Sequence, residues 1–563
     1  MMNRSGSRTW LLWLIPLAFL LFFFYQPLLV IFRQVFSERF NQGWQFFSWE
    51  QVTRPLGFTL WQAFLSTLLT LLIGLPAAYL FARFDFPGRK GLRALSLLPF
   101  ILPTVVVATA FNTLIGPRGW LNVILMNLFN LSSAPINLLN SFSAILLAHV
   151  FYNTSIVIRM VGSSLTRLNP HYDEAAGVLG ANPWRVFKEV SLPLLMPSIL
   201  GASLLVFLFD FTSFGVVLML GGPQFATLEV EIYNQAMNRL NLPVAGLLSV
   251  VQLAFTLIIT LLQNRVNNPR YGKAALGSER KTLMKPKTKL QKLYVVLLSL
   301  LVLILFVTPI LSLISRSLVT FDPARGERGE VETGLTFRYY TELFQNRSGS
   351  VFYANPLAAV RNSLVFSVVT MLIATTMGLI AAYALASSGK FIRWLEPLFM
   401  LPLGASAVIL GLGFLITFNK APWTSGAFPI MIPIAHSLIA LPFAVRTLLP
   451  AIRGIPISLR EAALVIGAKP WRVFREVDLP ILLRAIIASL AFSFTISLGE
   501  FGASSFLSSP QTPTIPVLIY RYISQPGALN YGQALAMSTL LLITSAAGSL
   551  LIEKIRLPGE ELF

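Results

Sequence analysis

The sequence contains no cysteine, so disulfides and thiolate metal sites are excluded at the outset. Charge is scarce as well. Only 12% of the 563 residues are Asp, Glu, Lys or Arg, and His occurs three times. A Gly-x-x-x-x-Gly-Lys-Ser/Thr string, whose backbone would cradle nucleotide phosphates, does not occur. The nearest string, Ser388-Gly389-Lys390, lacks the first glycine and falls in a tight loop. No catalytic residue, no metal ligand and no cofactor is expected in this chain. If the protein performs work, the energy comes from another subunit.

What is abundant is apolar side chain, at 55% of residues. A soluble fold of this length could not hide so much of it, whereas a bilayer can. The apolar runs are each about 20 residues long, which matches a hydrocarbon core roughly 30 Å thick. Twelve windows meet this description, near 10–35, 58–84, 94–115, 142–166, 194–220 and 243–265, then near 292–318, 361–386, 395–418, 428–450, 482–507 and 532–553. The expected class is therefore all-α: a polytopic membrane protein of about twelve helices. The first run follows Arg4 and Arg8, is too long for a signal-peptide core and has no small-residue cleavage site after it. It is read as a retained span.

The net charge of +20 could signal nucleic acid, but the basic residues sit in short loops between apolar runs. That distribution reports topology and leaves lipid, not nucleic acid, as the partner. With the N-terminus in the cytoplasm, the inside loops hold Arg83, Arg89, Lys90 and Arg93, then Arg167, Arg185 and Lys188, and later Lys390, Arg393, Arg453, Arg460, Lys469, Arg472 and Arg475. The basic stretch from Arg265 to Lys292 is inside too, and both termini are expected to be cytoplasmic.

The two halves repeat. Glu174–Leu195 reads EAAGVLGANPWRVFKEVSLPLL and Glu461–Leu482 reads EAALVIGAKPWRVFREVDLPIL, identical without a gap at sixteen of twenty-two positions. The same offset pairs His149 with His436, Arg159 with Arg446, Phe214-Gly215 with Phe501-Gly502, and Pro223, Thr227 and Tyr233 with Pro510, Thr514 and Tyr520. Six spans in each half is an even number, so the repeat is parallel, with a pseudo-two-fold axis along the membrane normal and a pathway between halves. The expected division is a first half at 1–270, a basic cytoplasmic linker at 271–292 and a second half at 293–563, with the repeated loops at 170–192 and 457–479.

Within each loop the local chemistry predicts a helix, a turn and a helix. Gly180 and Gly467 can take the left-handed conformation that ends the first. Asn182 is a good N-cap, Lys469 a weaker one, and Pro183 and Pro470 suit the first helical position that follows. Trp184, Phe187 and Val190 then recur three apart on one face, as do Trp471, Phe474 and Val477. A segment that merely rests among lipid headgroups needs only loose hydrophobicity. Two near-identical copies on a two-fold instead suggest a two-fold partner offering each the same groove.

Glu-Ala-Ala, three residues and Gly resembles the "EAA" cytoplasmic loop of binding-protein-dependent ABC importer permeases. Glu174, Ala175, Ala176 and Gly180 match that motif, as do Glu461, Ala462, Ala463 and Gly467. The resemblance implies a type I importer permease fold in a bacterial or archaeal cytoplasmic membrane. It also implies coupling helices that dock on a homodimeric cytoplasmic ATP-binding subunit carrying ATP-Mg, and an extracytoplasmic substrate-binding protein. Fusion of two halves in one chain is similar to the thiamine and ferric-iron permeases. Phe214 to Pro223, Thr227 to Tyr233, Trp61-Gln-Ala-Phe-Leu-Ser66 and Ala148-His-Val-Phe-Tyr-Asn153 look most like the thiamine type, with ferric iron as the alternative.

Charged groups at membrane depth cost at least a few kcal/mol and are functional candidates. Asp210 and Glu500 fall within the fifth and eleventh spans, with Ser213 as the repeat partner of Glu500. They either line the pathway and meet a cationic substrate or form interhelical hydrogen bonds that pack the bundle. His149 and His436 could bind a metal or relay protons, or be neutral rings bonded across helices. Pro223, Thr227, Tyr233, Pro510, Thr514 and Tyr520 are expected at an outer gate contacting the binding protein, the tyrosines alternatively serving as interfacial anchors. A different class, an ion-coupled secondary transporter, also has twelve spans in repeated halves. It gives no reason for the matched Trp-Phe loops.

Overall fold

The computed structural model describes residues 11–35, 48–96, 98–117, 119–266, 283–321, 334–345, 355–386, 390–418 and 428–555. The greater part of the basic linker at 271–292 lies beyond these. Among the described residues the secondary structure is helical apart from isolated bridges. Nine helices among the described residues are long and apolar enough to cross a membrane: Trp13–Val35, Glu50–Arg83, Phe142–Arg167, Trp184–Phe211, Leu242–Gln263, Lys289–Arg316, Pro356–Ala386, Pro429–Arg453 and Pro470–Gly499. Two bent pairs, Arg89–Ile101 with Thr104–Phe129 and Glu396–Pro402 with Ala407–Phe418, raise this to eleven. The remaining expected span corresponds to helix Ala528–Ile555.

Four expected spans are not continuous helices. The third, at 94–115, breaks before Thr104, where Pro103 has no N–H to donate and extended backbone. The ninth, at 395–418, breaks beyond Pro402. The fifth, at 194–220, ends at Phe211 and restarts at Gly215; the eleventh, at 482–507, ends at Gly499 and restarts at Gly502. Broken helices expose backbone polar groups that lipid cannot satisfy, so such breaks persist only where they are buried in protein or line a cavity. All four converge on the same cavity, described below.

The repeat is visible in how closely its helices pack. Gly74-Leu-Pro-Ala-Ala-Tyr79 in the second span matches Gly378-Leu-Ile-Ala-Ala-Tyr383 in the eighth. A Cβ on Gly74 would sit 2.7 Å from Val157, and one on Gly378 would sit 2.7 Å from Ala444, the repeat partner of Val157. Small residues let the backbones approach where lipid supplies no hydrophobic drive between helices.

The halves also exchange their first helices. Trp13–Val35 packs on Ala407–Phe418 of the second half, with Phe23 against Phe414 and Phe418 and Trp13 against Phe399. Lys289–Arg316 packs on Thr104–Ile115 of the first, with Phe306 edge-on to Phe151 and Ser312 donating to Thr113 at 3.0 Å.

Candidate functional site

The repeated loops form two matched surfaces. Helix Pro170–Val178 is followed by Gly180 at φ 82° and helix Ile457–Val465 by Gly467 at φ 83°, the left-handed turns expected from the sequence. Asn182 Oδ1 accepts the Arg185 N–H at 2.8 Å, whereas Lys469 makes no side-chain cap. The expected second short helix is not separate. Pro183–Val186 and Pro470–Val473 continue through one π-helical turn into the next membrane helix. Pro193 and Pro480 explain the turn, since a proline ring clashes with the carbonyl one turn back and the wider π geometry relieves it. Trp184 and Trp471 are each 70% exposed, their rings 5.8 Å and 5.3 Å from Phe187 and Phe474. Arg185 grips Glu189 as Arg472 grips Glu476. Glu174, Ala175, Glu461 and Ala462 are exposed, Ala176 and Ala463 half-buried.

Between the halves lies a cavity of about 370 Å³. Its walls include His149, Asp210, Ser213, Glu229 and Glu500 with Tyr152, Phe214, Phe443, Phe492 and Phe501. His149 Nδ1 lies 3.3 Å from Asp210 and Nε2 lies 2.8 Å from Ser213 Oγ. In the second half His436 Nδ1 lies 2.8 Å from Ser497 Oγ and Nε2 lies 3.0 Å from Glu500. Ser497 is the repeat partner of Asp210, and Glu500 of Ser213. Each histidine thus faces a carboxylate through one nitrogen and a hydroxyl through the other, with the two exchanged between the halves; His436 Nε2 also lies 2.9 Å from Ser504 Oγ. Neither histidine is on a metal-binding cluster; among the described residues no three His, Cys, Asp or Glu side chains group for one.

Asp210 is held by neighbours far away in sequence, Glu500 by its own backbone. Asn153 donates to Asp210 Oδ1 at 2.6 Å, and Gln62 donates to the Asp210 carbonyl at 2.6 Å. Glu500 accepts from the backbone N–H groups of Ala503 at 2.9 Å and Ser504 at 3.0 Å, across its own helix break.

Phe214 and Phe501, one from each half, stack across the pseudo-axis at 5.3 Å. Tyr233 packs on Phe214 at 5.4 Å and Tyr520 on Phe501 at 5.5 Å; Tyr233 also meets Phe506 edge-on. Both tyrosines are half-buried and back the stack. Thr227 and Thr514 are buried, the former donating to the Ser213 carbonyl at 3.3 Å. Hydroxyls of the second spans tie down the following helices: Thr59 accepts the Leu228 N–H at 2.9 Å, and Ser363 accepts the Ile515 N–H at 2.8 Å. Pro223 and Pro510 are exposed in the loops beyond.

Glu229 was not a sequence-level candidate for the pathway. It is fully buried in the cavity wall and accepts from Gln252 and, at 3.0 Å, from Ser406 of the second half. Its signal was the run Leu228-Glu-Val-Glu-Ile232, a carboxylate flanked by large apolar residues, which is unlike a solvated loop.

Comparison with known proteins places these features. The model of the family described as binding-protein-dependent transport system inner membrane component matches residues 70–271 and again 374–556. The chain is similar to the thiamine transport system permease protein of Escherichia coli (strain K12), 27% identical over 484 residues, 84% of each chain. It is also similar to the protein of the same description from Haemophilus influenzae, 27% identical over 498 residues and 86% of each. A probable ABC transporter permease of Sinorhizobium fredii is 25% identical over 517 residues, 90% of this chain and 88% of that one. Among solved structures, a chain of a bacterial alginate ABC transporter in complex with an alginate pentasaccharide-bound periplasmic protein matches with a TM-score of 0.41 and 22% identity, covering 48% of this chain and 98% of that chain.

Proposed function

The chain belongs to the binding-protein-dependent transport system inner membrane components, as a fused permease with two family regions in one multi-pass inner-membrane polypeptide, and from that premise we propose that it forms the translocation pathway of an ATP-driven importer of thiamine or its phosphates. The family is one of transport subunits rather than enzymes. The observation that carries the coupling part of the reading is the pair of loops with Trp184 and Trp471 equally exposed on matched scaffolds. A lone exposed tryptophan is commonplace, but two on one pseudo-two-fold fit a homodimeric ATPase that binds ATP-Mg and presents the same groove twice. Glu174, Ala175, Ala176, Gly180, Pro183, Trp184 and Phe187, with their counterparts from Glu461 to Phe474, are the docking residues.

In this reading the loops and both termini are cytoplasmic. The cavity walls run from the Phe214–Phe501 stack toward the loops, reaching Phe443 and Phe492. The stack, backed by Tyr233 and Tyr520, then closes the extracytoplasmic side, where a substrate-binding protein delivers its load near Pro223 and Pro510. Closure of the ATPase dimer draws the loops together and rocks the halves, parting the stack.

The substrate assignment rests on the thiamine permeases among the relatives. The test is a reconstitution in nanodiscs with the partner ATPase and binding protein, following ATP hydrolysis on addition of thiamine, its phosphates or ferric iron. Stimulation by thiamine alone supports the assignment. Stimulation by ferric iron alone reassigns the substrate, and an ATPase that never binds the chain refutes the importer reading itself.

A further inference from the structure

The cavity wall carries three carboxyl groups, Asp210, Glu229 and Glu500, each at least nine-tenths buried, and, among the described residues, no basic side chain of Lys or Arg to pair with them. Glu500 is occupied by Ala503, Ser504 and His436, and Glu229 by the neutral donors Gln252 and Ser406. Asp210 is different. Its Oδ1 is engaged by Asn153, while its Oδ2 and the neighbouring Ser66 hydroxyl are both buried and complete no hydrogen bond. His149, whose Nδ1 also completes no hydrogen bond, shares the wall.

A carboxylate in a low-dielectric interior is expensive unless a cation or a full set of donors meets it. The second half solves the same problem locally: at the position of Asp210 it has Ser497, which donates to Thr370, the repeat partner of Ser66, at 3.1 Å. The first half keeps a carboxyl group there and leaves it half-satisfied. Around it are aromatic faces, Phe214, Phe501, Tyr152, Phe443 and Phe492, which attract cations through their ring quadrupoles. The volume of about 370 Å³ falls in the range of roughly 300–1,000 Å³ typical of small-molecule sites.

We propose that this cavity is itself a binding site for an aromatic organic monocation, with Asp210 as its counter-ion and the aromatic walls as its bed. The inference rests on the importer reading above and deepens it, because selection then happens twice, once in the binding protein and once inside the membrane. Because Asp210 and Glu500 occupy non-equivalent positions in the repeat, the site is polarised and accepts such a cation in one orientation.

The test uses the purified full-length chain in nanodiscs, without ATPase or binding protein, and thiamine as probe, read by equilibrium binding of the radiolabelled compound. Saturable binding is expected, weakened at least tenfold by Asp210→Asn. A comparison on the unaltered chain removes any dependence on how that variant folds. Thiochrome, a flat neutral relative of thiamine, should bind at least tenfold more weakly, and potassium chloride at equal ionic strength to choline chloride should not displace the probe. Thiochrome binding as tightly as thiamine, potassium displacing it, or no saturable binding at all would each overturn the site. ATP-driven uptake is measured in parallel with the complete complex. Uptake without intrinsic binding removes the cavity site and leaves the importer; intrinsic binding without uptake by a fully assembled complex does the reverse.

Discussion

Replacing Trp184 or Trp471 by Ala tests the docking of the loops most directly, because the size of the effect can be worked out beforehand. A tryptophan buries about 150–250 Å² when fully covered. Each of these two is 70% exposed in the isolated chain, so a partner's groove can cover roughly 100–175 Å² more of each. At about 25 cal/mol per Å² the ceiling is about 2.5–4 kcal/mol per ring. Part of this is offset by immobilising the side chain, which leaves about 2 kcal/mol, or roughly thirtyfold in Kd, for each single substitution. The rings sit on equivalent scaffolds, so Trp184→Ala and Trp471→Ala should weaken ATPase binding equally, and the double variant should cost about the sum. The assay is a titration of nanodisc-embedded permease with labelled ATPase, alongside a thermal melt. The melt should not move, since each tryptophan's main intramolecular contact is the phenylalanine three residues on. Single variants with unchanged affinity, or a melting point that falls with affinity, would refute the reasoning.

Further outcomes follow from the packing and the cavity. Gly378→Val pushes two methyl groups into Ala444, already 2.7 Å from a bare Cβ, and should cost about 1–3 kcal/mol of stability, read as a lower midpoint in a detergent melt. Gly74→Val should act likewise against Val157. Glu500→Gln places an amide NH₂ against at least one of three donors that the carboxylate now accepts, at a cost of about 1–3 kcal/mol. A melt equal to that of the unaltered protein would show that the helix break does not depend on this charge. Phe501→Ala removes both the stack on Phe214 and the contact with Tyr520, so liposomes holding the variant should leak thiamine without ATP. Tight liposomes would show that the seal lies elsewhere.

The spans were legible in the sequence because hydropathy over about 20 residues is a strong local signal. The left-handed turns at Gly180 and Gly467 and the difference between Asn182 and Lys469 as caps were legible for the same reason: each is decided within four residues. The breaks were not. Thr212-Ser213-Phe214-Gly215 is short and half apolar, so a hydropathy window runs over it, although the polar pair before Phe-Gly was the available clue. Partners were hidden as well. Nothing local to Gln62 says that it donates to the backbone of Asp210, 148 positions on. Glu229 lies beyond the end of the fifth span, where hydropathy points to an outside loop; the short helix Leu228–Tyr233 instead folds back into the protein, tied there by Thr59, Gln252 and Ser406. The exchange of first helices left no trace, since a lipid-compatible surface carries no address.

That exchange has a consequence for synthesis. Trp13–Val35 leaves the ribosome about 370 residues before the helix it packs on, Ala407–Phe418, and Thr104–Ile115 waits for Lys289–Arg316. At about 5–20 residues per second the first of these delays lasts roughly 20–75 s. For that time lipid or the insertion machinery must shelter faces whose final neighbours do not yet exist. Neither half can reach its native packing before the other has been inserted, so the fusion serves as a timing device: it guarantees that the second half arrives beside the first, in the same membrane patch and in equal number.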